Sequence, residues 1–242
     1  MSKSQFIKSK LHRLAYAGSI VLPLPLLWDR LHNRDYHPGI TGIIERIKNS
    51  KLEPVNSLFC NLSDVLKMDI DVKGKSVLEI GHGGGWYLAQ ALDAGAQDVV
   101  GLEISEEINK RAGMALQRLG YKNFRFVLGN GRNLKVLKSK EFDLIFTITV
   151  IQHMPTRFAQ NYLSDISRLL ALNGICVIQT LISYGSSMKR LSSADLFSVA
   201  YSKNEFDYLI SQSGLRVIAF AKQEYNSDKT FWGFYLVKKE FG

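Results

Sequence analysis

Val77-Leu78-Glu79-Ile80-Gly81-His82-Gly83-Gly84-Gly85-Trp86 is the stretch on which the fold turns. A short apolar run, Ser76–Ile80, meets a bend with four glycines in five residues, and residues 86–94 then carry a helical pattern. Glycine at such a bend lets the backbone turn tightly and approach a ligand with no Cβ in the way. In open α/β sheets the crevice beyond the carboxyl ends of parallel strands is where ligands bind. The glycines stand first, third and fifth in the bend, whereas a dinucleotide loop needs them first, third and sixth. Here the sixth place is Trp86, whose indole would obstruct close helix packing and the approach of a phosphate. The acid on the strand, Glu79, suits a ligand with an ammonium or sulfonium charge better than one with phosphates.

Outward from this bend, short β-rich runs alternate with helical patterns, the sequence form of a parallel sheet with crossover helices. The second run covers residues 98–102 and ends at Glu103. Ser105 is placed to cap the next helix, with Glu106 and Glu107 at its positive end. Gly120 ends that helix, and Phe124–Leu128 is the third run. A fourth run is expected over residues 144–149, a helix over 155–172 and a fifth run over 175–180. Residues 181–201 are longer than an ordinary connection and mark a candidate functional insertion. Ser202 and Glu205 have capping-box spacing for a helix reaching about residue 213. Runs at residues 215–222 and 231–238 are joined by a connection short enough for a hairpin, so the last strand is expected to be antiparallel. Before the sheet, residues 40–48 and 55–67 show helical periodicity. The expected architecture is therefore α/β: a Rossmann-like, doubly wound, mostly parallel seven-stranded sheet with an antiparallel last strand. Residues 1–72 form an N-terminal helical or irregular cap, and residues 73–242 the ligand-binding domain.

The other chemistry-bearing residues fall at strand ends. Glu103 offers two carboxylate oxygens to the vicinal diol of a ribose. Asn130, in Gly129-Asn130-Gly131, offers a carbonyl to an adenine amino group. Residues 147–154 would flank the reacting end of the ligand and its acceptor.

Together these residues resemble the class I S-adenosylmethionine-dependent methyltransferases. Glu79-x-Gly81-x-Gly83-x-Gly85 resembles their first motif, and Glu103 their ribose-binding acid. Gly129-Asn130 is similar to their adenine-side motif, although Asp is the commoner residue there. Val150-Ile151-Gln152-His153-Met154-Pro155 is similar to the segment after strand four in small-molecule members. The resemblance covers about residues 73–239. It implies that S-adenosyl-L-methionine is held by Glu79, Gly81, His82, Gly83, Gly85, Glu103, Ile104, Asn130, Gly131 and Thr147. It also implies that the protein mainly aligns the reactants and removes water. His153 is the candidate general base, since imidazole titrates in the right range.

The acceptor is approached by elimination. After strand four there is no Asp/Asn-Pro-Pro-aromatic tetrad for exocyclic base amines, no Pro-Cys pair for a pyrimidine ring and no carboxylate cluster for a metal or an arginine. A small-molecule or carbohydrate acceptor methylated at oxygen is expected, and nucleic acid is not. The alternatives are an RNA or protein methyltransferase, favoured by the net charge of +9, and a non-catalytic cofactor-binding scaffold. The composition, 46% hydrophobic and 22% charged, is that of an ordinary globular chain. The basic excess leans to the N-terminus, where residues 1–50 hold eight Lys/Arg against three acids. Lys3, Lys8, Lys10 and Arg13 precede an apolar stretch too short to span a bilayer and interrupted by Pro23 and Pro25. That pattern reads as a segment packed on the domain or in peripheral contact with a membrane surface. Two distant cysteines, Cys60 and Cys176, read as buried free thiols of a cytoplasmic protein. The sequence does not indicate an oligomeric state.

Overall fold

The structure, a computed structural model, describes residues 39–52, 58–138, 141–186, 189–190, 198–224 and 229–240. The basic segment of residues 1–30 and much of the 181–201 insertion lie outside them. Two helices come first, α1 (Ile40–Leu52) and α2 (Leu58–Leu66). The order is then β1 (Ser76–Ile80), α3 (Trp86–Asp93), β2 (Asp98–Glu103), α4 (Glu106–Arg118), β3 (Phe124–Leu128) and β4 (Phe142–Thr147). After these come α5 (Thr156–Leu169), β5 (Leu170–Ser183), the short β6 (Lys189–Arg190) and β7 (Val199–Ser202), α6 (Lys203–Ser211), β8 (Leu215–Glu224) and β9 (Thr230–Lys239).

The strands form one sheet. From one edge it runs β3-β2-β1-β4-β5, all parallel, and β9 then lies antiparallel between β5 and β8. This is the expected seven-stranded, mostly parallel arrangement with an antiparallel last strand. The order reverses at β1, whose two neighbours are β2 and β4, so a crevice opens above its carboxyl end. The glycine bend leaves the strand at that point.

The two additional strands come from the insertion. At Ile182 and Ser183, β5 pairs on one edge with β9 and on the other with β7. The second edge is the one that β4 occupies lower down. β7 therefore sits beyond the end of β4, directly over the turn that follows it.

Both sheet faces are covered, which is why the inner strands read as nearly continuous apolar runs rather than alternating ones. On one face Leu78, Ile80, Val100, Leu102, Ile145, Cys176 and Ile178 pack with Ala159, Tyr162, Leu163 and Ile166 of α5. On the other, Val77, Val99, Leu144, Phe146 and Val177 pack with Leu88 of α3 and with Leu58, Phe59, Leu62 and Leu66 of α2. Gln90 of α3 accepts from the Leu58 amide at 2.8 Å, satisfying a donor at the start of α2. Ile43 and Ile47 of α1 bury themselves against Ala89, Ala115 and Leu116. The described part of the N-terminal segment is thus built into the domain.

Three boundaries differ from the sequence reading. The helix expected to reach residue 172 stops at Leu169, because Leu170 turns extended and pairs with Phe142. Leu169-Leu170-Ala171-Leu172 is apolar in either state, and periodicity cannot separate the two. Asn173–Gly174 then lies inside β5, where the register with β4 slips between Leu170 and Ile175. Gly174 runs so close to β4 that a Cβ would stand 2.7 Å from the Phe142 carbonyl. The fourth strand ends at Thr147 rather than residue 149, since Thr149 adopts a φ of 59° and turns the chain.

Candidate active site

The site is built from three strand ends. At the first, Gly81, Gly83 and Gly85 take φ values of 77°, 52° and 75°, a region closed to most side chains. The bend is pinned to β2, with Gly81 N–H donating to the Leu102 carbonyl at 2.7 Å and Gly85 N–H closing the turn on the His82 carbonyl at 2.8 Å. A Cβ on Gly81 would stand 2.3 Å from Val150 Cγ2, so the bend also touches the turn after β4.

Glu103 ends β2 with its carboxylate on backbone amides. One oxygen accepts from Ile104 N at 2.7 Å and Ser105 N at 3.2 Å, and the other from Gly83 N at 3.3 Å. The acid at the end of the second strand thus faces the glycine bend. Ser105 caps α4 by accepting from Ile108 N at 3.1 Å, as its position in the sequence suggests. Glu79 is buried, and its Oε2 has no hydrogen-bond partner among the described residues. Burial first, and the Glu103 carboxylate second, push its pKa well above the usual carboxyl range. An orphaned buried carboxylate beside a glycine cradle is the environment that a ligand cation relieves.

Two residues grouped with the cofactor serve the scaffold with their side chains. The His82 ring is buried, hydrogen-bonds Asn109 Oδ1 through Nε2 at 2.8 Å and stacks on Phe126 with centroids 4.1 Å apart. It locks the bend to α4. Gly101 makes the space, since a Cβ there would lie 2.6 Å from the His82 ring. Asn130 is exposed, and its carbonyl, reserved in the sequence reading for an adenine amino group, accepts from Arg132 N and Asn133 N at 2.8 and 3.0 Å. It closes an Asx turn. Gly131 follows with a φ of 70°, and Gly129 N–H is held by the Glu103 carbonyl at 2.8 Å.

The third strand end holds the turn after β4. Thr147 is fully buried, and its hydroxyl has no partner among the described residues. Thr149 is a β-branched residue at positive φ, a conformation that costs about 1–3 kcal/mol and clusters at functional sites. A 3₁₀ turn, Ile151–His153, follows. Gln152 is buried, and its Oε1 has no partner among the described residues. His153 lies between Gln152 Nε2, 3.3 Å from its Nε2, and Ser198 Oγ, 3.5 Å from its Nδ1. Ser198 leads into β7, so the insertion reaches the candidate base.

Sequence reasoning placed Thr149 and Gln152 only within the stretch 147–154 flanking the acceptor, without the strain of the one or the burial of the other, and it missed Ser198. A left-handed Thr has no sequence signal, because β-branched residues disfavour it, and Ser198 meets His153 only through the sheet. The His82 pocket did have one: Gly101, isolated in a strand pattern, is a mark of close approach.

Comparison with known proteins agrees with this geometry. Residues 77–174 match the family described as "Methyltransferase domain". An uncharacterized protein of Haemophilus influenzae is 33% identical over 112 residues, 44% of this chain and 42% of its own length. A tRNA U34 carboxymethyltransferase of Idiomarina loihiensis is 30% identical over 118 residues, 48% of this chain and 35% of its own. The chain thus spans less than half the length of these curated relatives. Among solved structures, the 1,6-didemethyltoxoflavin-N1-methyltransferase of Burkholderia thailandensis, with 1,6-didemethyltoxoflavin and S-adenosylhomocysteine bound, superposes with a TM-score of 0.60. It covers 92% of this chain and 93% of its own at 16% identity. The strand order is thus the fold of this S-adenosylhomocysteine-bound methyltransferase, and residues 77–174 are similar to a methyltransferase-domain family. Among the described residues no cluster of His, Cys, Asp or Glu is arranged to hold a metal ion, and no helix is long and apolar enough to cross a membrane.

Proposed function

We propose that this chain is a methyltransferase that binds S-adenosyl-L-methionine across Gly81–Gly85 and transfers its methyl group to a hydroxyl oxygen of a small-molecule or carbohydrate acceptor. The observation that carries the cofactor site is the approach of Glu103 to the Gly83 amide, beside the orphaned Glu79 carboxylate. In this reading Glu103 grips the ribose diol, Glu79 faces the positive end, and Thr147 and Ile104 complete the wall with Asn130 and Gly131 at the adenine side. Bound there, the cofactor supplies a methyl already activated by its sulfonium.

The chain's part is alignment, exclusion of water and handling of one proton. The turn after β4 touches the glycine bend through Val150, which supports a reading with Thr149, Gln152 and His153 beside the reacting end. Their groups are neutral hydrogen-bonding ones, suited to orienting a hydroxyl. His153 takes the hydroxyl proton, with Gln152 and Ser198 fixing its ring. Residues 1–72 act as the cap over residues 73–242, and the buried free thiol of Cys176 fits a reducing, cytoplasmic setting.

The test is a screen of hydroxyl acceptors with methyl-labelled cofactor. For the acceptor found, His153→Gln should lower kcat by roughly 10²-fold with S-adenosylhomocysteine affinity unchanged. An unaltered kcat would remove His153 from the chemistry. A second reading, an RNA acceptor, is favoured by the net charge of +9 and by the tRNA-acting relative, which removes the ground for setting nucleic acid aside. Label transfer to RNA but to no small acceptor would select it.

A further inference from the structure

Two loops frame the proposed cofactor site, and they are held in different ways. The glycine bend is pinned to β2 by backbone hydrogen bonds. The adenine-side loop, residues 130–138, leaves β3 with Gly129 N–H on the Glu103 carbonyl, and its next hydrogen bonds close turns within itself. Leu134 and Leu137 bury their side chains in the core beside α5. Apolar burial is non-directional, however, and does not fix a backbone to within a hydrogen bond.

Direction comes from one edge of α5. Asn161, Asp165 and Arg168 are spaced four and three apart, which puts them on one helix face. Asn161 Nδ2 donates to the Arg132 carbonyl at 3.2 Å. Asp165 is buried, and its Oδ2 accepts from the buried Leu134 amide at 2.8 Å. Arg168 donates to the other oxygen, Oδ1, at 3.0 Å and reaches on to the carbonyls of Leu134 and Lys138. A buried carboxylate is costly unless its charge is met. Here the guanidinium meets the charge, and the second oxygen is left to hold an amide. Gln160 fixes the helix itself, donating to the Leu209 carbonyl and to Ser213 Oγ. Tyr162 shows how near this edge lies to the proposed ribose acid. Burial raises its phenol's pKa most, and the carboxylates of Glu103 and Asp165 raise it further.

We infer that Asp165 is a positioning residue for recognition of the cofactor's base: bridged to Arg168, it fixes the Leu134 amide and so the place of Asn130 and Gly131 against the adenine. This rests on the cofactor placement proposed above. Adenine presents an amino donor beside a ring-nitrogen acceptor. Hypoxanthine reverses both, with a carbonyl beside a ring N–H. A loop held in one place tells the two apart, because the wrong base sets donor against donor and acceptor against acceptor. A loop free to shift pairs again with either.

The test is the ratio of two affinities measured by calorimetry, for S-adenosylhomocysteine and for S-inosylhomocysteine, its analogue with hypoxanthine as base. The wild-type protein should prefer the first by at least about 10-fold. Asp165→Ala, with a native circular dichroism spectrum, should bring the two affinities to within about threefold of each other, chiefly by weakening S-adenosylhomocysteine. Asp165→Asn should keep the wild-type preference, since its amide oxygen still accepts from Leu134 N–H. Equal weakening of both ligands by Asp165→Ala would show a merely structural role and overturn the inference, as would an unchanged ratio. Should that variant fail to fold, Asn161→Ala removes only an exposed contact to the same loop. It should narrow the ratio by roughly two- to fivefold, and a ratio equal to that of the wild type would then overturn the inference. If the wild-type protein bound neither ligand, the cofactor reading would fall and the inference with it. If it bound both equally well, the cofactor reading would stand and the inference alone would fall.

Discussion

The bend after β1 and the turn after β4 lie against each other, yet they are built on opposite terms. At the bend, the left-handed residues are glycines, and nearly every polar group is engaged. Glu103 gathers three backbone amides, His82 is locked on Asn109, and Gly81 and Gly85 are hydrogen-bonded. Among the described residues one oxygen of Glu79 is left without a hydrogen-bond partner. At the turn, the left-handed residue is a threonine, and the hydroxyl of Thr147 and the carbonyl of Gln152 are buried with no partner among the described residues. Thr180, farther along β5 on the face of Thr147, adds another hydroxyl with no partner among the described residues. Each such group costs about 1–3 kcal/mol. On the function proposed above, the difference is a division of labour between a prebuilt cradle for the cofactor and a strained wall for the acceptor.

The comparison breaks most visibly at the cradle. Gly83→Val places a β-branched residue at a φ of 52°. It should weaken S-adenosylhomocysteine by at least ~100-fold while leaving the circular dichroism spectrum native. Retained affinity would mean that the ligand does not cross the bend.

A smaller effect, with opposite signs in two assays, is expected at Glu79. Because its folded-state pKa is raised, the fold is unpenalised at low pH and loses stability as pH rises above the unfolded carboxyl value of about 4.3. Glu79→Gln has no such proton to lose. It should melt higher than wild type at neutral pH, and the advantage should vanish as pH falls into the ordinary carboxyl range. The same variant should bind S-adenosylhomocysteine roughly 10-fold more weakly, having lost a charged contact. Gains in both assays would detach Glu79 from the ligand.

The smallest effect sharpens the other half of the comparison. Thr149→Gly removes the strain at a φ of 59° and should stabilise the protein by about 1 kcal/mol, read from urea midpoints at constant m-value. Its cofactor affinity should be unchanged and its turnover lower. Unaltered turnover would reduce the strained turn to a connector.

Legibility in the sequence followed the same division. The bend, β1, β3 and the caps at Ser105 and Ser202 could be read directly. Ser202 and Glu205 indeed form a reciprocal capping box at the start of α6. Each depends on residues within four or five positions of one another. The boundary between α5 and β5 was not legible, because the short apolar run Leu169–Leu172 carries no period to separate helix from strand. Nor was the role of Asn130, whose carbonyl serves a turn or a ligand with the same local sequence.

The amino-acid order by itself determined the alternation of strands and helices, the glycine bend and the two acids that face it. These follow from backbone sterics and local hydrogen bonding, which act over a few residues. Only the tertiary structure decided that β7 brings Ser198 to His153, that His82 is spent on Asn109 and that α1 carries Arg46 to the indole over the bend. Those juxtapositions arise from packing between elements dozens of residues apart, where the energy belongs to the assembled core and no short window of sequence contains it.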